Sequence, residues 1–325
     1  MAITIGPGWT IGPGWIIGGE SSGSAGATQR AIFGYGLTNL GSDTAITNLV
    51  SSTGVVANDV TGVGTARQNL AAAGYGTDKA IFGYGGTTGS LSSLSITNLV
   101  SNTGVVATNT TGVGTTRESL AAAGYGTDKA IFGYGFDDNS LPNIQSVTNL
   151  VSNTGVVATN TTGVGTARRG LAAAGYGTDK ALFGYGTTNG SDNLSITNIV
   201  SNTGVVATNT TGVGTARQSL AAAGYGTDKA IFGYGTTGAG VVLSMSNLVS
   251  NTGVVANDVT GVGTARFSPA AASYGGDKAL FGYGTDLSGP VSMTNLVSNT
   301  GVVATNTTGV GTTRRDLAAA GYSLT

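Results

Sequence analysis

The sequence predicts an all-β fold: a six-bladed β-propeller with four-stranded blades, closed by its C-terminal strand and preceded by a short N-terminal arm. Three observations predict it. A unit of about fifty residues recurs six times. Its heptad Arg-Ala-Ile-Phe-Gly-Tyr-Gly begins at Arg30, and the copies begin at Lys79, Lys129, Lys180, Lys229 and Lys278, at spacings of 49, 50, 51, 49 and 49. Periods of this size belong to propellers and solenoids. Each unit holds four strand-length segments, and none has the 3.6-residue apolar period of a helix. The chain also ends on Leu317–Ser323, a first strand with no second strand after it, whereas the first unit begins at Arg30 with a second strand and no first. The two fragments complete one blade and leave no open edge, which a solenoid has no reason to arrange.

The elements follow in order. Residues 1–17 are an arm holding two Ile-Gly-Pro-Gly-Trp copies, at Ile5–Trp9 and Ile11–Trp15, with both tryptophans of the chain. Gly-Pro-Gly resists helix and regular sheet interior. So apolar a segment is expected to order by packing against another chain through Ile5, Trp9, Ile11 and Trp15. Residues 18–27, GGESSGSAGA, read as a flexible linker. The propeller takes residues 28–325. In its second copy, Leu120–Gly126 (LAAAGYG) supplies small side chains for the strand nearest the axis, where blades converge, and Lys79–Gly85 (KAIFGYG) has bulky groups on both faces. Such a strand suits a sheet buried on both sides. Ser95–Ser101 (SITNLVS) and Gly104–Thr110 (GVVATNT) are the third and fourth strands.

Composition narrows the function. Charged residues are 9% of 325, the net charge is −1, and the chain has neither His nor Cys. Such a surface has no electrostatic pull on nucleic acid. Disulfides, thiolate chemistry and the usual zinc and copper sites are excluded. No apolar run reaches transmembrane length, so no membrane insertion is expected. Asn58–Asp59 and Asn257–Asp258 lack the spaced acidic series of a calcium loop. Gly62-Val63-Gly64 has no strand-to-helix setting for phosphate. Asp137–Asp138 reads as a solvated loop pair rather than a catalytic one. No cofactor, no metal and no enzymatic activity are expected. Asn109-Thr110-Thr111 and its copies fit a glycosylation pattern that matters only in a eukaryotic secretory pathway.

Six Arg, five Lys and five Asp recur at fixed positions. Asp78, Asp128, Asp179, Asp228 and Asp277 each precede a Lys in the first hairpin. They could ring a channel that binds ions or sugars, but repetition in every unit favours turn chemistry. The repeated Arg is expected to bond loop carbonyls or a carboxylate.

The order Thr-Ala-Arg, small-residue strand, Lys-Ala-Ile-Phe-Gly-Tyr-Gly, variable loop, then two further strands resembles the kelch repeat across residues 27–325. Arg67, Arg117, Arg168, Arg217, Arg266 and Arg314 match the family's Arg before the inner strand. The family's glycine doublet is replaced by Gly-Tyr-Gly, and its outer-strand Trp is missing. The phrases TNLVSNTGVVATNTTGVGTAR and LAAAGYGTDKAIFGYG also resemble repeats in virion structural proteins of marine and cyanobacterial phages. That resemblance implies assembly in the host cytoplasm and an extracellular place on the mature particle. It also implies virion or fibre proteins as partners of the arm.

Differences between the copies locate the expected site. In an up-down blade the second connection and the link to the next blade share one face. The second connections vary in length and content: 37–45, 86–95, 136–146, 187–195, 236–244 and 285–292. The links vary just after the repeated Arg, at Gln68, Glu118, Arg169, Gln218, Phe267 and Arg315. The opposite face, with Thr-Asp-Lys and Ser-Asn-Thr-Gly turns, is nearly constant. Loop tolerance alone would let both faces drift. The variable face is therefore expected to bind a host-surface glycan or protein through Phe136, Asp138, Arg169, Phe267, Arg315, Gln68, Glu118 and Gln218. The expected protein is a non-enzymatic fibre, tail or head-surface component, with homo-oligomers allowed. The alternatives are a purely architectural virion or filament subunit and a kelch-like protein–protein interaction module.

Overall fold

The computed structural model describes residues 3–4, 10–11, 29–89, 92–139 and 143–323. The described residues are all-β, in six three-stranded antiparallel sheets and a few two-residue ladders. In the second sheet the strands are Ala71–Tyr75, Lys79–Gly83 and Thr97–Val100, with Lys79–Gly83 in the middle. Tyr75 pairs with Lys79, which leaves a three-residue turn at 76–78. The third to sixth sheets repeat this plan around Lys129–Gly133, Lys180–Gly184, Lys229–Gly233 and Lys278–Gly282. The first sheet is assembled from both chain ends. Ala318–Ser323 pairs with Gln29–Gly34, which pairs in turn with Thr47–Val50.

Each sheet has three regular strands where the sequence predicts four. Gly104–Thr110 makes one bridge, Val106 to Val100, then bows out of the ladder and returns only where the Thr110 N–H donates to the Thr97 carbonyl at 2.8 Å. The cause is the fully buried Asn98. Its side-chain amide donates to the Ala107 carbonyl at 2.9 Å and to Asn109 Oδ1 at 3.0 Å. A side chain thus makes bonds that a fourth strand's ladder would make. Asn109 reaches onward instead, donating to Thr65 Oγ1 at 2.7 Å. Asp59 and Asp258 stand at the same position as Asn109. They accept from Thr312 and Thr215 of the preceding link, so they lock turns.

The core lies between sheets. Phe82 stacks on Gly34 of the first sheet, where a Cβ would stand 2.8 Å from the ring. Phe82 meets Tyr35 edge-on at 5.1 Å. Tyr35 ends its strand in the left-handed region, at φ 66°, and Gly36 follows at φ 104°. A bulky residue there is strained. Burial, the Phe82 edge and a bond from its hydroxyl to the Val63 carbonyl hold it in place. The Arg67 guanidinium lies 4.2 Å above the same ring. Arg67 also donates to the Tyr84 and Thr65 carbonyls and to Asn98 Oδ1, so it fastens the second sheet to the first. The Phe–Tyr contact recurs at six sheet junctions, including the sixth-to-first, where Phe33 meets Tyr283 at 5.0 Å. All six repeated arginines are fully buried, each over a tyrosine, so the structural reading of these residues holds.

Of the arm, Ile3–Thr4 pairs with Thr10–Ile11. Ile5, Trp9, Trp15 and the 18–27 linker lie outside the described residues, and Ile11 is described by its backbone alone.

Candidate functional site: the variable end

The two variable sets meet through the backbone. Each link residue bridges the first residue of the second connection in the following sheet. Gln68 pairs with Gly86, Glu118 with Phe136, Arg169 with Thr187, Gln218 with Thr236, Phe267 with Thr285, and Arg315 with Leu37. Strand-like pairing turns alternate side chains to one side. The six link side chains are all half-buried.

Inside them runs a belt of main-chain hydrogen bonds. The next residue of each link donates its N–H to the carbonyl of the equivalent residue one sheet back. Asn69 donates to Asp316, Ser119 to Asn69, Gly170 to Ser119, Ser219 to Gly170, Ser268 to Ser219, and Asp316 to Ser268. Five of these bonds are 2.7–2.8 Å, and the last is 3.3 Å. All six residues have left-handed backbone, at φ 51–60°. Asn, Asp and Gly tolerate that region best. The belt and the Leu/Pro row beneath it line a cleft of about 80 Å³.

The predicted site residues fall into two groups. Phe136 and Arg169 form one unit, with the guanidinium 4.6 Å above the ring. Glu118 bridges Phe136, and burial pushes its carboxyl up, reinforced by the Asp138 charge, while a hydrogen bond from Asn69 and the Arg169 charge pull it back. Asp138 is exposed and accepts from Ser93 Oγ at 3.1 Å. The second group is Arg315, 3.4 Å from Asp316 across the belt from Arg169, with Phe267 beside the neighbouring junction. Gln218 is committed to structure, donating to the Gly190 carbonyl at 2.7 Å. Asp137 corrects the reading of a solvated acid pair. It is 2% exposed and accepts from Thr116 Oγ1 and the Asn139 N–H, so it organises its loop.

Sequence reasoning missed the loop tips. Leu40 and Leu287 are 91% and 92% exposed, and Val241 is 55% exposed. Val241 and Leu287 line a largely apolar groove of about 490 Å³ between the fifth and sixth sheets. A lone large apolar residue in a Gly/Ser loop was the available signal. Among the described residues, the exposed apolar tips belong to the first, fifth and sixth sheets, and the Phe136–Arg169–Glu118–Asp138 cluster lies on the loops of the second to fourth.

Asp316 is the one acid in the belt. Burial pushes its carboxyl up, against a hydrogen bond from Ser268 and the Arg315 charge. A raised acid pKa means that the ionised form costs folded-state stability above that pKa, and the cost vanishes below the unfolded value near ~3.9. Asn69 fills the same position with the same backbone. Asp316→Asn should therefore raise stability at pH 7. The gain should shrink as pH falls toward 4 in paired thermal melts.

No protein-family model matches the chain, and no curated protein matches it.

Proposed function

We propose that the chain is a six-bladed β-propeller, a non-enzymatic virion structural protein whose variable end recognises a host-surface glycan or protein. The single observation that carries this reading is polarity. The variable loops and link residues gather at one end of the sheets. Gln29 and Ser323, which begin and end the described sheets, line a cavity at the other end with the constant turns. An arm leading to Gln29 therefore joins the molecule opposite the loops, as an anchor to a fibre, tail or head surface requires. Ring closure is supported by the belt, the six Phe–Tyr junctions and the pairing of the chain ends. The absence of His and Cys from the chain fits binding better than acid–base or nucleophilic chemistry. A stacked Arg and Phe beside two carboxylates suit a hydroxyl-rich ligand, because aromatic faces stack on sugars and Arg and carboxylates bond their hydroxyls. Many copies on a particle would raise a weak affinity by avidity.

The test is the quadruple variant Phe136→Ala, Arg169→Ala, Phe267→Ala, Arg315→Ala, assayed on host cells and on envelope glycans. Hot-spot losses predict a fall of about 100-fold or more. The melting temperature should change little, since none of the four belongs to the repeated core. Undiminished binding by the folded variant would refute the reading.

An architectural subunit is the second reading. Its support is the crown of Val55, Val105, Val156, Val205, Val254 and Val302, each 65–66% exposed at an equivalent turn. Six equal apolar contacts suit regular packing, and that reading predicts no host binding by either protein.

A further inference from the structure

The end opposite the variable loops holds a second place for a ligand. A cavity of about 300 Å³ opens there, floored by Gly74 and its equivalents and walled by the tyrosines of the first strands. Lys79, Lys129, Lys180, Lys229 and Lys278 all line it, whereas among the described residues Asp277 is the one carboxylate residue that does. Each ammonium is gripped from the side by the preceding Asp, at 2.5–2.9 Å. Asp78, Asp128, Asp179 and Asp228 lie outside the lining, and the last three are further bonded by Asn153, Asn202 and Asn251. In four of the five ion pairs, then, only the lysine lies in the lining. An ammonium with one N–H on its Asp keeps two for a ligand. Convergent donors of one sign in a concave site focus potential there.

A second observation concerns the turns that carry these lysines. Thr77, Thr127, Thr178 and Thr227 have φ 68–71°, and all four line the cavity. A β-branched residue in that region is a conformational outlier. The sixth sheet closes the same turn with Gly276 at φ 82°. The turn does not need Thr, and strain held at a cavity wall points to a use for the wall.

We infer that this cavity is an oxyanion seat, which takes a single phosphate or sulfate group on the lysine crown. The seat shares no residue with the variable end; it lies at the end where the arm joins at Gln29, so its failure and that of the recognition reading are read at different residues. Such a group could arrive free or as a monoester carried by a larger molecule. The open mouth admits both.

The probes are inorganic phosphate, sulfate and phenyl phosphate, each compared with chloride at equal ionic strength. Full-length protein should gain melting temperature with phosphate and sulfate beyond chloride, saturably. A selenate soak of crystals should place an anomalous peak among the five Nζ atoms. Replacing Lys129, Lys180 and Lys229 together by Gln should cut the affinity about tenfold or more, as loss of charge-assisted hydrogen bonds does. That variant changes exposed side chains, and an unchanged melt in chloride will show that it is folded. Inorganic phosphate acting alone would identify a free ion as the occupant, and phenyl phosphate acting equally would identify a carried monoester. The inference is overturned if no oxyanion stabilises beyond chloride, or if the triple variant responds as the wild type does. Glycan binding at the variable end should be unaffected by the triple variant, so failure of either reading is visible separately.

Discussion

Deleting residues 317–325 should abolish cooperative folding. The strand in that segment, Ala318–Ser323, is the sole partner on one side of Gln29–Gly34. Leu317, Ala318, Ala319, Ala320 and Tyr322 are all buried. Tyr322 also packs over Gly104 of the second sheet, where a Cβ would meet its hydroxyl at 2.6 Å. Burying a Leu and a Tyr is worth about 2–3 kcal/mol each, and the alanines add less. The total, about 5 kcal/mol or more, rivals the whole stability of an ordinary domain. Removal would also bare the middle strand's edge, with Ile32 and Phe33 beside it, which invites aggregation. The expected result is an insoluble protein, or one whose melting temperature falls by at least ~10 °C. A melt unchanged in midpoint and cooperativity would show that the terminal strand is dispensable.

Arg217→Met should be the most damaging single substitution. Arg217 donates from Nε to the Tyr234 carbonyl at 2.9 Å, from Nη1 to Thr215 at 3.1 Å and from Nη2 to Asn247 Oδ1 at 2.7 Å. Its guanidinium lies 4.3 Å above the Tyr185 ring of the sheet before. Burial pulls its pKa down, opposed by Tyr185 and by Asp258 at 4.0 Å. Methionine fits the length but leaves two carbonyls and an amide oxygen unpaired in a buried junction. Breaking a buried charged network in this way costs about 3–5 kcal/mol. Arg217→Lys should fare little better, because an ammonium cannot span the fork or cover the ring. Denaturant unfolding should show both losses. A change below ~1 kcal/mol would mean that the junction does not depend on the guanidinium.

Much of the fold was legible because the repeat exposes its own grammar. The KAIFG strands, the small-residue first strands and the split first sheet follow from period, alternation and the unmatched chain ends. The fourth strand was not legible. GVVATNT has good strand composition, and only the position of Asn98 in a buried row shows that a side chain will take over the ladder. The Gly-Tyr-Gly strand end reads in sequence as a substituted glycine doublet. Its reason lies in another repeat, whose Arg and Phe hold the left-handed tyrosine. At the variable end, sequence found the set of positions because they differ between copies. It could not see that Glu118 bridges Phe136, that Arg169 covers that ring, or that Gln218 is already bonded. Those depend on which loop crosses which sheet, a property of the junctions rather than of any one repeat.

We propose that the six sheets form one ring with the variable residues around its mouth. Amide hydrogen exchange around the belt tests it most directly, and the variable links give each belt residue a distinct sequence neighbourhood for assignment. Closure predicts that the Asn69 N–H, whose bond to the Asp316 carbonyl joins the first link in the chain to the last, exchanges within the same range as Ser119, Gly170, Ser219 and Ser268. Exchange of the Asn69 N–H at the rate of unprotected amides, with Ser119, Gly170, Ser219 and Ser268 protected, would mean an open array of sheets rather than a ring.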